Sequence, residues 1–356
     1  MQLELTIQTV VFGGDGLSRF EGYVVFVPFT CPGERVLVEI DEVKRHYARG
    51  ILLEVQTPHP SRISPRCPVF TQCGGCVYQH VETSVQREWK RAQVQEILKR
   101  SAKLDFDVPA LMSTELDWAY RNRITLHAGE GRLGFHRHRR PEQLVAVSHC
   151  PIASAMVNLE LSETLRKKRY KDSGAVTLRE PGLPRHFVQT NTGVAELLEA
   201  WVREKAGQGK LLVDLFCGAG FFSLSLADQF KSVIGIDRST FALDTARAIA
   251  PEHVQFHEGS CDEWPLPGMP EGRLPEDTVM IVDPPREGLP EALRLGLAAS
   301  GPGRIIYVSC DPATFSRDLH AMAGAYQLAE LQPFDMFPQT AQVELAAALD
   351  RMRDRA

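Results

Sequence analysis

From residue 211 onward the chain repeats one pattern: a short apolar run, a longer stretch with helical spacing, then another apolar run. The runs fall at 211–216, 233–236, 279–282 and 305–309. A strand that is apolar throughout has both faces covered, and intervening helices cover both faces of a parallel sheet. This half of the chain is therefore predicted to be a doubly wound α/β domain with a mostly parallel sheet. Such sheets hold ligands at the carboxyl ends of their strands. The first predicted strand ends in Asp214-Leu215-Phe216-Cys217-Gly218-Ala219-Gly220, and a helix is predicted over 221–227. Gly218 and Gly220 let a ligand approach the backbone closely, and the helix start offers free amides. The second strand ends in Asp237, where a carboxylate meets ribose hydroxyls. An adenosine-bearing ligand is expected, with a plain strand-to-helix corner as the alternative.

The turn lacks a G-x-G-x-x-G pattern. It resembles the first motif of class I (Rossmann-like) S-adenosyl-L-methionine methyltransferases, which places hydride transfer second. The third strand ends in Asp283-Pro284-Pro285-Arg286-Glu287-Gly288 and the fourth in Ser309-Cys310-Asp311-Pro312. A cysteine at the end of a central strand is partly exposed and lies near helix amides that lower thiol pKa. Cys310 is thus a candidate nucleophile, or else an inert buried thiol. Carbon 5 of uracil is too weak a nucleophile to attack a methyl sulfonium, but addition of a thiolate at carbon 6 makes it an enolate equivalent. After methyl transfer the carbon 5 proton must leave so that the thiolate can be expelled. The site then needs a base, and Glu344 is the candidate, its plain alternative being a strand-face carboxylate with no role.

Residues 3–54 alternate apolar and polar positions in short runs broken by glycine turns, the pattern of a small antiparallel β-barrel. A proline-rich join follows at 58–68. Cys67, Cys73 and Cys76 have the spacing C-x5-C-x2-C, and Cys150 is a distant fourth cysteine. Four thiolates fit zinc or a four-iron four-sulfur cluster. Helical spacing is present at 84–100 and 153–165, and strand-like runs at 123–127 and 144–147, which makes the middle an α+β region. Between Tyr120 and Lys171 lie Arg121, Arg123, Arg132, Arg137, Arg139, Arg140, Arg166, Lys167, Lys168 and Arg169, with His127, His136 and His138. This is a candidate phosphate-binding face or an ordinary solvated one.

Taken in order, these segments resemble the bacterial RNA uracil-5-methyltransferases, and among them the iron-sulfur-containing 23S rRNA branch. The likeness runs from Gly14-Asp15-Gly16 and Cys31-Pro32-Gly33-Glu34, through Cys67-Pro68, Cys73-Gly74-Gly75-Cys76, Gln79-His80 and Tyr120-Arg121-Asn122-Arg123. It continues with Gln189-Thr190-Asn191 and the strand-end motifs. The resemblance implies a TRAM-like, OB-type RNA-binding barrel over 1–58, a central iron-sulfur region over 59–185 and a catalytic domain over 186–356. It implies Cys310 as nucleophile and Glu344 as base. Gln189, Phe216, Gly218, Gly220, Phe221, Asp237, Ser260 and Asp283 would line the cofactor and target-base pocket. Cys67, Cys73, Cys76 and Cys150 would bind the cluster, and Arg121 and Arg123 would contact RNA. Phe221 and Ser260 replace residues that are commonly Asn and Asp or Asn in the family, and Gln342 stands where His is usual.

Composition narrows the alternatives. An apolar content of 44% supports a large core, and no run is long and apolar enough to span a bilayer. With no secretion signal, eight cysteines are expected to be reduced and the chain cytoplasmic. A net charge of −5 excludes a uniformly basic nucleic-acid coat. The expected partner is RNA, 23S rRNA ahead of tRNA, with no membrane and a monomer as default. Two rivals remain: a non-catalytic RNA-binding metal protein, and a methyltransferase for another target such as DNA cytosine.

Overall fold

The computed structural model describes every residue except 130, 169, 172, 185–187, 263, 265, 267–273, 275–276 and 353–356. The chain divides into two compact units. The first comprises Met1–Gln93, Thr114–Leu183 and Phe337–Gln342, and the second Val94–Ser113, Pro184–Met336 and Val343–Ala356. The chain thus leaves and re-enters each unit.

The first unit holds two sheets. Its six-stranded sheet, built from residues 2–57, is antiparallel except where Val24, Val25 and Phe26 pair in parallel with Tyr47, Ala48 and Arg49. Alternate residues of its strands face a core of Leu5, Val25, Val27, Val36 and Val38. Strand Tyr47–Thr57 is longer than the sequence pattern suggested, and bulges in its pairing with Arg35–Val43 let it bend. A four-stranded sheet carries Arg123–Gly129 at its centre, flanked by Gly174–Arg179 on one side and Arg132–Arg137 on the other. Helix Ala155–Lys167 packs Val157 and Leu161 into the same core as Ile124, Leu126 and Leu178. Ser154 caps this helix, its hydroxyl accepting from the Val157 amide at 3.3 Å.

The second unit is built on a seven-stranded sheet. Its order is Val254–Glu258, Phe230–Asp237, Gly209–Leu215, Thr278–Val282, Arg304–Ser309, Glu344–Arg351, Tyr326–Phe334. The first five strands are parallel, four of them at the predicted runs and the fifth, Val254–Glu258, not predicted; the last two form an antiparallel hairpin. Strand Thr278–Val282 is buried throughout, which explains its unbroken apolar run. Strand order reverses between Gly209–Leu215 and Thr278–Val282, so their carboxyl ends open a crevice where ligands sit in such folds. The hairpin brings Glu344 to the end of the sheet that holds Cys310, because Ser309 pairs with Leu345. No helix among the described residues is long and apolar enough to cross a membrane.

Candidate active site

At the switch point the chain turns from strand Gly209–Leu215 into helix Phe221–Ser225, which is shorter than the predicted 221–227. Phe216, Gly218 and Gly220 all have positive φ, 62°, 54° and 79°. A Cβ on Gly220 would lie 2.8 Å from the Phe256 ring, whereas one on Gly218 would meet nothing within 4 Å. Glycine is therefore needed at 220 for packing as well as conformation, and at 218 for conformation beside open space. Asp214, fully buried, accepts from the Ser223 amide at 2.9 Å and the Ser223 hydroxyl at 2.5 Å, which fixes the helix to the strand. Burial pushes the Asp214 carboxyl up to about 7 against those two hydrogen bonds.

Asp237 ends the neighbouring strand. One of its oxygens accepts from the Gly218 amide at 2.9 Å and the other from the Ser239 amide at 2.7 Å. The carboxylate predicted at ribose hydroxyls thus also braces the glycine turn, with one lone pair left on each oxygen. Ser260 is exposed and donates to Asp262 at 2.6 Å. Phe221 is exposed, its ring edge-on to Phe222 at 4.8 Å. Gln189 lies half-buried two residues before Asn191, whose side chain caps helix Thr192–Ala206 and donates to the Met336 carbonyl at 3.4 Å.

Cys310 follows strand Arg304–Ser309, and Asp311 caps the next helix, Pro312–Met322. The expected lowering of its thiol pKa by helix amides is not found. Asp311 takes those amides, accepting from Ala313 at 2.8 Å and Thr314 at 3.0 Å. Burial instead pushes the Cys310 thiol up to about 11, with the Glu344 carboxyl adding to the effect and the Arg286 guanidinium opposing it. Glu344 is buried and held well above the ordinary carboxylate range, by burial first and then by Asp283, again opposed by Arg286. Asp283 itself is pushed up to about 7 by burial and by Asp214. Sequence reasoning missed Arg286. It stands in the quoted Asp283-to-Gly288 motif, yet nothing there signals that its charge acts on both Cys310 and Glu344. The result is a thiol and two carboxyls at adjacent strand ends, all with pKa values raised by burial, and one exposed cation, Arg286, whose charge opposes that rise at Cys310 and Glu344.

Cys67, Cys73, Cys76 and Cys150 meet in the first unit. All are free and half-buried, and their thiols act on one another electrostatically. Burial pushes Cys73 up to about 11, Cys76 to about 12, and Cys150 in the same direction. The Gly75 amide donates to Cys73 Sγ at 3.4 Å. Gln79 accepts from the Cys67 amide at 3.0 Å and hydrogen-bonds the Cys76 side chain. Asn158 clamps Cys150, accepting from its amide at 2.8 Å and donating to its carbonyl at 3.0 Å. Among the described residues, no group of three or more His, Cys, Asp or Glu is arranged to hold a metal ion.

Arg121, expected at RNA, lies half-buried beside these thiols, its charge acting on Cys73, Cys76 and Cys150, and its guanidinium lies 5.5 Å from the Phe337 ring. Arg123 stands directly opposite Arg179 across the strand pair, its pKa lowered by burial and then by Arg179 and Arg121. Arg139 is engaged by Asp15 at 2.6 Å. Arg169 lies outside the described residues.

Residues 2–53 match the TRAM domain, 212–271 a methyltransferase domain, and 275–352, which carry Asp283, Cys310 and Glu344, the tRNA (uracil-5-)-methyltransferase family. An uncharacterized RNA methyltransferase of Bdellovibrio bacteriovorus is 32% identical over 98% of this chain and 95% of its own length. The chain belongs to the RNA methyltransferase family. Another relative of this RNA methyltransferase, from Listeria monocytogenes, is 27% identical over 98% of the chain and 97% of its own. The tRNA (uracil-54, C5)-methyltransferase of Pyrococcus abyssi, solved with S-adenosyl-L-homocysteine, shares its fold. It has a TM-score of 0.74 at 24% identity, over 98% of this chain and 100% of that one.

Proposed function

We propose that this RNA methyltransferase transfers the methyl group of S-adenosyl-L-methionine to carbon 5 of a uridine in 23S rRNA. The observation that carries the reading is the placement of Cys310 and Glu344 at neighbouring strand ends, with Arg286 and Asp283 acting on Glu344. The Cys310 thiolate adds to carbon 6, and carbon 5 takes the methyl as the sulfonium becomes a thioether. Glu344 then removes the carbon 5 proton, and the carbon–sulfur bond breaks to return the thiolate. A buried carboxyl with a raised pKa is a stronger base once ionised. Phe216, Gly218, Gly220, Phe221, Asp237 and Ser260 would face the donor, with Gln189 and Asp283 at the uracil edge. A half-buried Asp283 with its carboxyl at about 7 is partly protonated near neutrality and can then donate to a uracil carbonyl as well as accept.

Cys67, Cys73, Cys76 and Cys150 would hold a four-iron four-sulfur cluster. Four mutually acting reduced thiols, an amide aimed at Cys73 Sγ and the half-buried Arg121 guanidinium suit a cluster that favours thiolates. The methylation steps need no electron transfer, so the group's contribution is to fix the surrounding loops. Anaerobically purified protein is expected to be brown and to bleach in oxygen; a colourless, zinc-loaded protein would refute the assignment.

The likeness of the four-cysteine segment to the 23S branch favours ribosomal RNA. The tRNA description of the family matched by residues 275–352 supports tRNA as the second reading. Mass-spectrometric mapping of 5-methyluridine in RNA from a strain lacking the protein decides between them. Loss of one 23S position supports the first reading, loss of a tRNA position the second, and an unchanged profile contradicts both.

A further inference from the structure

The first unit contains a cleft of about 550 Å³ that the catalytic reading does not use. We propose that this cleft, walled by Arg66 and Trp118, takes a nucleotide of the substrate RNA with its base stacked on the indole. The proposal rests on RNA being the substrate. The Arg66 guanidinium lies 4.7 Å from the centre of the Trp118 ring, so the indole already presents a face to a flat group. Arg66 is exposed and Trp118 half-buried. The volume falls in the range of small-molecule sites and exceeds that of a single base. Val69 and Val147 give the cleft an apolar floor, with Arg66 and His149 at its edge. None of the described lining residues is acidic, and neighbouring Asp117 is neutralised by Arg87. An aromatic face, an apolar floor and a cationic rim without carboxylates are the recognition chemistry of an unpaired base and its phosphate. On binding, the base replaces the guanidinium on the indole and Arg66 moves to the phosphate.

The indole is held in place by the backbone. Ala119 has φ of 53°, a left-handed conformation unfavourable for a residue with a Cβ. Its amide donates to the Pro151 carbonyl at 3.0 Å, and the Arg121 amide donates to Ile152 at 2.9 Å. The Trp118–Ala119 part of the lining is therefore fastened to the segment after Cys150, and Pro68 of the lining directly follows Cys67. The four-cysteine site thus borders the cleft through two segments, which gives it a role in shaping the substrate surface.

The test uses the full chain, a ten-nucleotide oligoadenylate as binding probe, and bulk RNA from a strain lacking the protein as methylation substrate. Oligoadenylate should quench tryptophan emission, and Trp118→Phe should remove most of that change. Trp118→Ala should raise the KM for RNA about tenfold with little change in kcat, and Trp118→Phe should recover most of the loss. Arg66→Gln should make oligoadenylate binding less salt-dependent by about one counterion. A quench that survives in Trp118→Phe, or an unaltered KM in both Trp118→Ala and Arg66→Gln, overturns the proposal. Quenching by AMP but not by oligoadenylate also overturns it, since the cleft would then serve a free metabolite. If Trp118→Ala fails to fold, Trp118→Phe and Arg66→Gln decide. If wild-type protein transfers no methyl to RNA while the Trp118-dependent quench persists, the catalytic reading fails and the cleft stands. Normal methylation by the Trp118 and Arg66 variants leaves catalysis intact and removes the cleft.

Discussion

The chain uses cysteine in two opposite ways, and the contrast lies in what surrounds each thiol. Cys310 stands alone at a strand end, with Glu344 and Asp283 as acidic neighbours and an exposed Arg286 in opposition. Cys67, Cys73, Cys76 and Cys150 stand together, with a half-buried Arg121 as their cation and with Gln79, Asn158 and the Gly75 amide fixing their positions. Burial raises the thiol pKa of Cys310 and equally of Cys73, Cys76 and Cys150, so pKa alone does not distinguish a nucleophile from a ligand set. The partners do. A lone thiol beside a basic carboxyl can form and break a bond, whereas four thiols with backbone clamps are built to be held still.

Substitutions should separate the two sites, and the largest effect is expected at the lone thiol. Cys310→Ala should lower methyl transfer on the order of 10⁴-fold or more while leaving RNA affinity unchanged, as measured by labelled-methyl incorporation and filter binding. Substantial turnover in that variant would break the contrast. Next comes pH. Catalysis needs Cys310 and Glu344 deprotonated, and both are held above their ordinary values. The kcat/KM for RNA should therefore climb with pH between about 6 and 9, by close to tenfold per unit where a single ionisation limits the rate. A profile that is flat or falls over that range contradicts the environment described for these two groups.

Cys150→Ser should act on stability before chemistry. Removing one of four ligands should cost several kcal/mol, on the order of ten degrees in Tm, and abolish the brown colour. The shape of the pH profile should stay the same, because the catalytic groups keep their neighbours. A smaller effect is expected from Asp283→Asn. The Asp283 carboxyl sits at about 7 in the folded chain, above the roughly 4 of an unfolded one. Between those values the folded state holds more protons, so stability falls as pH rises through the window. The variant removes that cost, and its Tm without ligands should exceed wild type by a few degrees at pH 8, with little difference at pH 4.

Four of the parallel strands were legible because each is largely buried, which leaves an unbroken apolar run such as 279–282, whereas the edge strand Val254–Glu258, exposed at alternate residues, left none. The closing hairpin was harder to read. Glu344-Leu345-Ala346-Ala347-Ala348-Leu349 has the composition of a helix, but pairing on both sides makes it a strand, a case of burial and hydrogen bonding outweighing propensity. Chemistry marked Cys310 and Glu344 as partners without fixing their register. Arg286 could not be read, since its role depends on where a loop carries an exposed side chain. Arg121 read as a surface cation because the sequence does not reveal that its neighbours in space are thiols. The lowered thiol pKa expected for Cys310 failed because Asp311, the next residue, takes the helix amides.

The most direct test of the account is the fate of the carbon 6 bond when the base is removed. Glu344→Gln protein incubated with substrate RNA and labelled S-adenosyl-L-methionine should give a protein–RNA adduct that retains the label on a denaturing gel, and adding Cys310→Ala should eliminate it. An adduct that persists in the double variant, or full turnover by Glu344→Gln with no adduct, would contradict covalent catalysis by this pair.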